Sequence, residues 1–233
     1  LERGKKITVV EMAPQILPVQ LDENAAKAYQ DRFEKAGAEF RLGSRVQETV
    51  CGADGNICEV VLDSGEHINC DFVITATGVR PADAFLEGSG IVCERGIQVD
   101  SHMETNIKDV YAAGDVTGLS GIWPNAMKQG RTAARNMCGG NEIYADTFAE
   151  KNTINFFGLV TLCLGAIIPQ EGDEVLTEED SHNYRRAILR DGRLCGILLQ
   201  GDISNSGIWQ YIIKQQIYLG GIGKNIFRLT CAD

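Results

Sequence analysis

The sequence is most informative first through what it lacks. Its eight cysteines, at 51, 58, 70, 93, 138, 163, 195 and 231, include no CxxC pair, and none stands with histidine at the spacing of a zinc site. Nothing in the sequence therefore announces a metal centre or a local dithiol motif. Scattered in this way, the cysteines read as reduced thiols of a cytoplasmic protein, most of them buried as small hydrophobes. No apolar run reaches the roughly 18 residues that a membrane span requires, and no signal-peptide pattern opens the chain. No basic cluster interrupts a net charge of −10, which argues against nucleic acid and anionic membrane as partners. There is no internal repeat and no low-complexity stretch. No GxGxxG occurs anywhere. Residue 1 is Leu rather than Met, so the chain is expected to be a processed product or a piece of something longer.

What is present describes an ordinary globular chain. Of 233 residues, 44% are hydrophobic and 23% charged, enough to bury a real core. KKITVVE (5–11) reads as a short buried strand that ends in an acid. LDENAAKAYQDRFEKAG (21–37) reads as an amphipathic helix, with Leu21, Ala25, Tyr29, Phe33 and Ala36 on one face, Asp22 as N-cap and Gly37 just past the end. AEFRLGS (38–44) returns as a strand, which makes a parallel crossover unit. Residues 45–70 alternate in short runs broken by Asp54-Gly55 and Ser64-Gly65, the pattern of an antiparallel meander. DFVITATG (71–78) and DVYAAGD (109–115) read as further buried strands, and 79–108 as loop. Residues 123–140 read as a helix closed by paired glycines. From about 151 the texture becomes β-rich, with a hairpin turn at Asp191-Gly192. The last helix is expected over 204–220, with Ile208, Tyr211, Ile212, Gln215 and Leu219 as its stripe.

Two acids stand where a ligand could use them. Glu11 ends the first strand, where a dinucleotide-binding crossover places the acid that takes ribose hydroxyls. Such an acid lies roughly 20 residues after a glycine-rich loop. That count runs off the front of the chain, so LERGKK is read as the tail of a helix whose strand and loop are not here. The plainer reading of Glu11 is a solvated acid at a strand end. Asp115 closes DVYAAGD behind Ala112, Ala113 and Gly114, small residues that clear space beside a carboxylate. Its plainer reading is a turn acid or helix cap.

TATGVRPADAFL (75–86), followed by TNIKDVYAAGDVTG (105–118) and both downstream of VVE, resembles the pyridine nucleotide-disulfide oxidoreductase superfamily, the flavoproteins that bind two dinucleotides. The resemblance implies that Asp115 accepts a hydrogen bond from an FAD ribitol hydroxyl and that Gly114 lets the backbone pass close to the cofactor. It implies that Thr77 and Gly78 mark the crossing from the nicotinamide domain back into the FAD domain, with Arg80 and Pro81 fixing the loop beyond. WPNAMKQGRTAARNM (123–137) resembles the helix whose N-terminus points at the flavin, with Ala126 and the backbone around Gln129 and Gly130 nearest. A helix N-terminus carries partial positive charge and suits the negative charge of a reduced flavin. NTINFFGLVTLCLGA (152–166) and NYRRAILRDGRLCGILLQGDISNSGIWQYIIK (183–214) resemble the last domain of the rubredoxin reductase and nitrite reductase flavoprotein branch, with Gly196, Gly201 and Asp202 in a recurring pattern. There the domain packs over the flavin or against a partner, and Trp209, Tyr211 and Tyr218 are read as packing residues.

The fold expected is α/β: partial doubly wound, Rossmann-like nucleotide-binding domains followed by a small α+β domain. The division expected is 1–74 for the C-terminal part of an NAD(P)H-binding domain, 75–147 for the returning segment of an FAD-binding domain, and 148–233 for the terminal domain. The function implied is part of an NADH-dependent FAD oxidoreductase that passes electrons from NADH through flavin to an acceptor. A small electron-transfer protein is one candidate acceptor. Glu11 favours NADH over NADPH, because a carboxylate repels a 2′-phosphate. None of the eight cysteines is assigned a catalytic role. The chain alone is expected to lack reductase activity, and exposed strand edges lead to the expectation of a homodimer or higher oligomer. The other reading is a non-catalytic fragment or interaction module with no cofactor of its own.

Overall fold

The computed structural model describes residues 1, 3–145 and 151–230. Strand β1 (Ile7–Glu11) is followed by helix α1 (Glu23–Lys35) and strand β2 (Ala38–Leu42). Asp22 starts the helix as expected, its carboxylate accepting the Ala25 N–H at 3.1 Å. Gly37 ends it at φ +95°, its N–H returning to Glu34 O at 2.9 Å. β1 and β2 pair in parallel, Ile7 opposite Ala38 and Glu11 opposite Leu42. This is the crossover unit that the hydrophobic pattern calls for. Strands β3 (Val46–Cys51), β4 (Ile57–Leu62) and β5 (His67–Asn69) form the expected antiparallel meander. Gly55 and Gly65 supply the positive φ at its two turns.

Strands β6 (Lys151–Phe156), β7 (Leu159–Gly165), β8 (Glu174–Glu179), β9 (Tyr184–Arg190) and β10 (Arg193–Gln200) make an antiparallel sheet in the order β6-β7-β10-β9-β8. Asp191 and Gly192, at φ +50° and +69°, make the turn between β9 and β10. The apolar stripe of α1 packs on this sheet. Leu21, Ala25 and Tyr29 share one core with Leu159, Cys163, Tyr184 and Leu198. The polar groups caught in that interface are paired, as burial demands. Tyr29 donates to Leu159 O at 2.9 Å and Ile154 O at 3.1 Å, while Gln200 Nε2 donates to Ala25 O and Thr161 Oγ1. Tyr184 donates to the capping carboxylate of Asp22. The same acid therefore starts the helix and ties it to β9. Helix α2 spans Trp123–Met137, and α3 (Ser206–Lys214) packs against β7 and β10.

The described residues up to 74 and from 151 onward pack as one compact unit, and those from 75 to 145 as another.

Several expectations are corrected. Residues 71–78 form no strand, and all of 71–80 are exposed. Their composition is that of a strand, but a strand exists only through a lateral partner for its N–H and C=O groups. No described segment pairs with this one. DVYAAGD is likewise no sheet strand. It closes an irregular hairpin through a single bridge between Glu104 and Tyr111, with Thr105 N–H on Val110 O and Asp109 at φ +64° in the bend. α3 is shorter than expected, because Gln216 takes φ +52° and the chain turns back, so that the Leu219 N–H reaches Gly192 O. Its buried stripe is Trp209, Ile212 and Ile213, while Tyr211 and Gln215 face solvent. Trp209 is core; Tyr218 is exposed, with Arg193 over its ring. The cysteines are not mostly buried either. Cys163 is enclosed, which pushes its thiol up to about 12. Cys51, Cys58 and Cys138 are exposed, Cys70, Cys93 and Cys195 are half-buried, and Cys231 lies outside the described residues.

Candidate cofactor-binding site

The turn after the Glu104–Tyr111 hairpin is held by a buried glutamine. Gly114 adopts φ +84° and ψ −159°, a conformation that a side chain resists. Its N–H donates to Gln129 Oε1 at 2.7 Å, and its carbonyl accepts from Thr117 Oγ1 at 2.8 Å. Thr117 Oγ1 also lies 3.4 Å from Gln129 Oε1. Gln129 is 0% exposed and belongs to α2, so the helix and the turn form one clamped body. A 3-10 turn over Asp115–Thr117 follows, closed by the Gly118 N–H on Asp115 O. Asp115 is exposed, at the mouth of this turn.

A second backbone crossing secures the other side. A Cβ on Gly118 would stand 2.0 Å from Arg95 O, and one on Gly96 would stand 2.5 Å from the Thr117 carbonyl carbon. Gly96 and Gly118 also hold positive φ. Both positions thus exclude side chains by space and by conformation. The beginning of α2 is built in the same compact way. Pro124 occupies its first turn, where a missing N–H costs nothing. Asn125 is buried and donates to Ser120 Oγ at 3.0 Å. Ala126 faces the turn: a Cβ placed on Gly114 would lie 3.6 Å from the Ala126 Cβ.

Of the residues singled out from the sequence, Gly114, Asp115, Ala126 and Gln129 come together around this turn. Thr77, Gly78 and Arg80 lie in the exposed, extended stretch before it, Gly78 at φ +88°. Glu11 belongs to the other unit. There its Oε1 accepts the Ala13 N–H at 2.8 Å and its carbonyl the Ser44 N–H at 3.1 Å, so the carboxylate caps the loop that leaves β1.

What the clamped turn offers is an exposed carboxylate on a rigid backbone beside the positive end of a 15-residue helix. A carboxylate in that position accepts hydrogen bonds from a polyol, and the helix end suits an anion or an electron-rich ring. The model of the pyridine nucleotide-disulphide oxidoreductase family matches residues 1–130. The chain belongs to this family. The model of the rubredoxin NAD+ reductase C-terminal domain matches residues 151–217, which hold the five-stranded sheet and α3.

Relatives within the family include the epsilon subunit of the NADH-dependent phenylglyoxylate dehydrogenase of Aromatoleum evansii. It is 34% identical over 93% of this chain and 54% of its own length. The NADH-rubredoxin oxidoreductase of Clostridium acetobutylicum is 29% identical over 79% of this chain and 46% of its own. The crystal structure of the Clostridium acetobutylicum NADH:rubredoxin oxidoreductase superposes with a TM-score of 0.71 at 25% identity, covering 97% of this chain and 57% of the other. A ferredoxin reductase from Rhodopseudomonas palustris superposes with a TM-score of 0.77 at 21% identity, over 93% of this chain and 56% of its own. This family member therefore spans about half the length of the relatives it matches.

Three residues of the clamped turn escape a reading of the sequence. Thr117 follows Asp115 by two, and its role depends on a helix residue twelve positions on. Gly96 and Gly118 look like ordinary loop glycines. Only the crossing of their backbones shows that they must be glycine.

Proposed function

We propose that this chain is the part of an NADH-dependent FAD oxidoreductase that receives nicotinamide and closes around the flavin. In the division that the resemblance implies, 1–74 belongs to the NAD(P)H-binding domain, 75–147 to the FAD-binding domain and 148–233 to the terminal domain. The observation that carries the reading is the Asp115 turn, clamped by Gln129 against α2. Asp115 would accept from a flavin side-chain hydroxyl, Gly114 would let the backbone approach, and the start of α2 at Ala126 would face the ring. Thr77, Gly78 and Arg80 would shape the crossing into this site. FAD, when bound, supplies hydride acceptance and onward electron transfer; the protein orients it and sets its electrostatics. Glu11 favours NADH, since its carboxylate opposes a 2′-phosphate.

The acceptor fits the class of small electron-transfer proteins. The model that matches the terminal residues is named for rubredoxin NAD+ reductase, a relative is an NADH-rubredoxin oxidoreductase, and one related structure is a putidaredoxin reductase joined to putidaredoxin. A homodimer or higher oligomer is the expected assembly, supported by the exposed Phe72, Ile74, Val79 and Phe85. The cytoplasm is the expected compartment, supported by the free thiols.

The test is a visible spectrum of the longest form that the gene encodes, purified with added FAD, gel-filtered, then mixed with NADH. The reading expects a flavin spectrum that survives filtration and bleaches with NADH. It expects Asp115→Ala to lose the flavin while the unfolding midpoint of the flavin-free protein stays put, and the 233-residue chain alone to leave NADH unoxidised. A colourless long form would overturn it and favour an interaction module. Flavin retained equally by Asp115→Ala would remove Asp115 from the site.

A further inference from the structure

The meander carries three cysteines, and two of them face each other. In the β4–β5 ladder Glu59 opposes Asn69, Val60 opposes Ile68 and Val61 opposes His67. The same register carried one step outward sets Cys58 opposite Cys70, and the Cys70 N–H donates to Cys58 O at 3.0 Å. Residues opposite each other in an antiparallel pair point to the same face of the ribbon. At a hydrogen-bonded pair their Cα atoms stand about 5.5 Å apart. A disulfide spans Cα separations of about 4.4–6.8 Å. The Cα spacing of such a pair therefore falls within the span of a disulfide, and its Cβ spacing of about 4.5–5.5 Å has to close by roughly 1 Å to reach the 3.5–4.5 Å of a bridge.

We propose that Cys58 and Cys70 form a reversible cross-strand disulfide, a redox-modification site that takes its oxidising equivalents from a low-molecular-weight disulfide.

Access and freedom to move both fit. Cys58 is exposed and Cys70 half-buried, and both are free thiols. The Cys58 thiol now lies 3.5 Å from Val50 O, turned toward β3. Bridging requires a change of its χ1 rotamer toward β5, which an exposed side chain makes readily. The rival partner is Cys51. The irregularity between Val50 and Cys51 leaves Cys51 opposite Ile57 rather than Cys58, so the register favours Cys70.

The chemistry is two thiol–disulfide exchanges. One cysteine thiolate attacks a sulfur of the reagent RSSR, forming a mixed disulfide and releasing one RSH. The second cysteine thiolate attacks the protein sulfur of that mixed disulfide and expels the second RSH. Two protein S–H bonds and one reagent S–S bond are exchanged for one protein S–S bond and two RSH. The protein is oxidised by two electrons, and both protons end on the released thiols. The bridge closes the chain around the Ser64-Gly65 turn. It also pins Cys70, the last residue before the exposed stretch that begins at Asp71. A reductant releases both.

The test treats the whole chain with excess oxidised glutathione at mildly alkaline pH, then alkylates it and maps its peptides by mass. The expected result is the loss of the Cys58 and Cys70 thiols, one linked peptide pair joining them, no glutathione retained on either, and full reversal by dithiothreitol. Cleavage within 63–66 should leave the two pieces joined until reduction. The yield should exceed that of the urea-unfolded chain at least tenfold, because the fold supplies the proximity. Cys58→Ser and Cys70→Ser should each abolish the bridge and trap glutathione on the remaining thiol, while Cys51→Ser should change nothing. A predominant Cys51–Cys58 bridge, glutathione held stably on Cys58 or Cys70 in the wild type, or no thiol loss at these two residues would overturn the proposal. The wild-type map decides it even if a serine variant fails to fold.

Discussion

LVTLCLG at 159–165 and DFVITATG at 71–78 are written in nearly the same alphabet, yet only one of them is a strand. The first is β7, flanked by β6 and β10, with α1 against its sheet and Leu164 fully buried. The second runs exposed through its whole length, with Phe72 75% and Ile74 79% accessible. β-Branched and aromatic residues state a preference for a pleated surface, not a guarantee of one. What turns the preference into a strand is a lateral partner for its N–H and C=O groups.

The sharpest way to break this comparison is a pair of truncations. Leu164→Ala should destabilise the chain by about 2–5 kcal/mol, as buried leucines do. Ile74→Ala should stay within about 0.5 kcal/mol. Urea unfolding followed by circular dichroism checks both. A cost above about 1 kcal/mol at Ile74 would mean that a second copy covers the segment in solution, and light scattering on the same samples would show it.

The next effect lies in the 75–145 unit, which rests on a few buried polar groups. Gln129→Leu removes the acceptor of the Gly114 N–H and leaves that donor unpaired. The expected cost is about 1–3 kcal/mol. It should appear as faster hydrogen exchange at the Gly114 amide, with the amides of β7 and β10 unchanged. Equal acceleration in both places would mean that the two units unfold together.

A smaller effect is expected where α1 meets the five-stranded sheet. Tyr29→Phe keeps the ring and its edge-on contact with Phe156, at 5.6 Å between centroids. It removes the donor shared by Leu159 O and Ile154 O. A loss of about 0.5–1.5 kcal/mol is expected in urea unfolding. No loss would mean that water replaces the hydroxyl and that packing alone seats the helix.

The parts that sequence made legible are those whose partners are local. Asp22 and Gly37 bracket α1 because a cap and a left-handed terminator act within a few residues. The meander and the Asp191-Gly192 turn follow from turn chemistry for the same reason. The Asp115 turn was visible as a motif, but its clamp was not, because Gln129 Oε1 and the crossing of 95–96 over 117–118 are tertiary facts. The stripe of α3 was misplaced because Tyr211 and Gln215 satisfy a helical spacing without being buried. Burial there depends on where β7 and β10 lie, and chain order does not state that. The docking of α1 on the terminal sheet joins residues more than 120 positions apart through Tyr29. No window along the chain contains both sides.

The smallest effect separates two acids by what surrounds them. Asp115 stands exposed at the candidate site, whereas Asp173 is gripped by a guanidinium. Arg190 Nε and one terminal nitrogen reach its two oxygens at 2.8 Å each, and the Gln170 N–H adds a third bond at 2.8 Å. The Arg190 hydrogen bonds, followed by the Gln170 N–H, lower the Asp173 carboxyl from its ordinary 3.8 to about 2. The folded chain therefore takes up this proton less readily than the unfolded chain does. The stabilisation from the pair is fully present above the unfolded value near 3.8 and is lost as pH falls through about 2. Asp173→Asn should flatten that part of the stability-versus-pH curve. Urea midpoints measured across the acid range for both proteins give the slopes. If Asp173→Asn kept the wild-type slope, the acid sensitivity would belong to other carboxylates, and the grip of Arg190 would contribute orientation rather than stability.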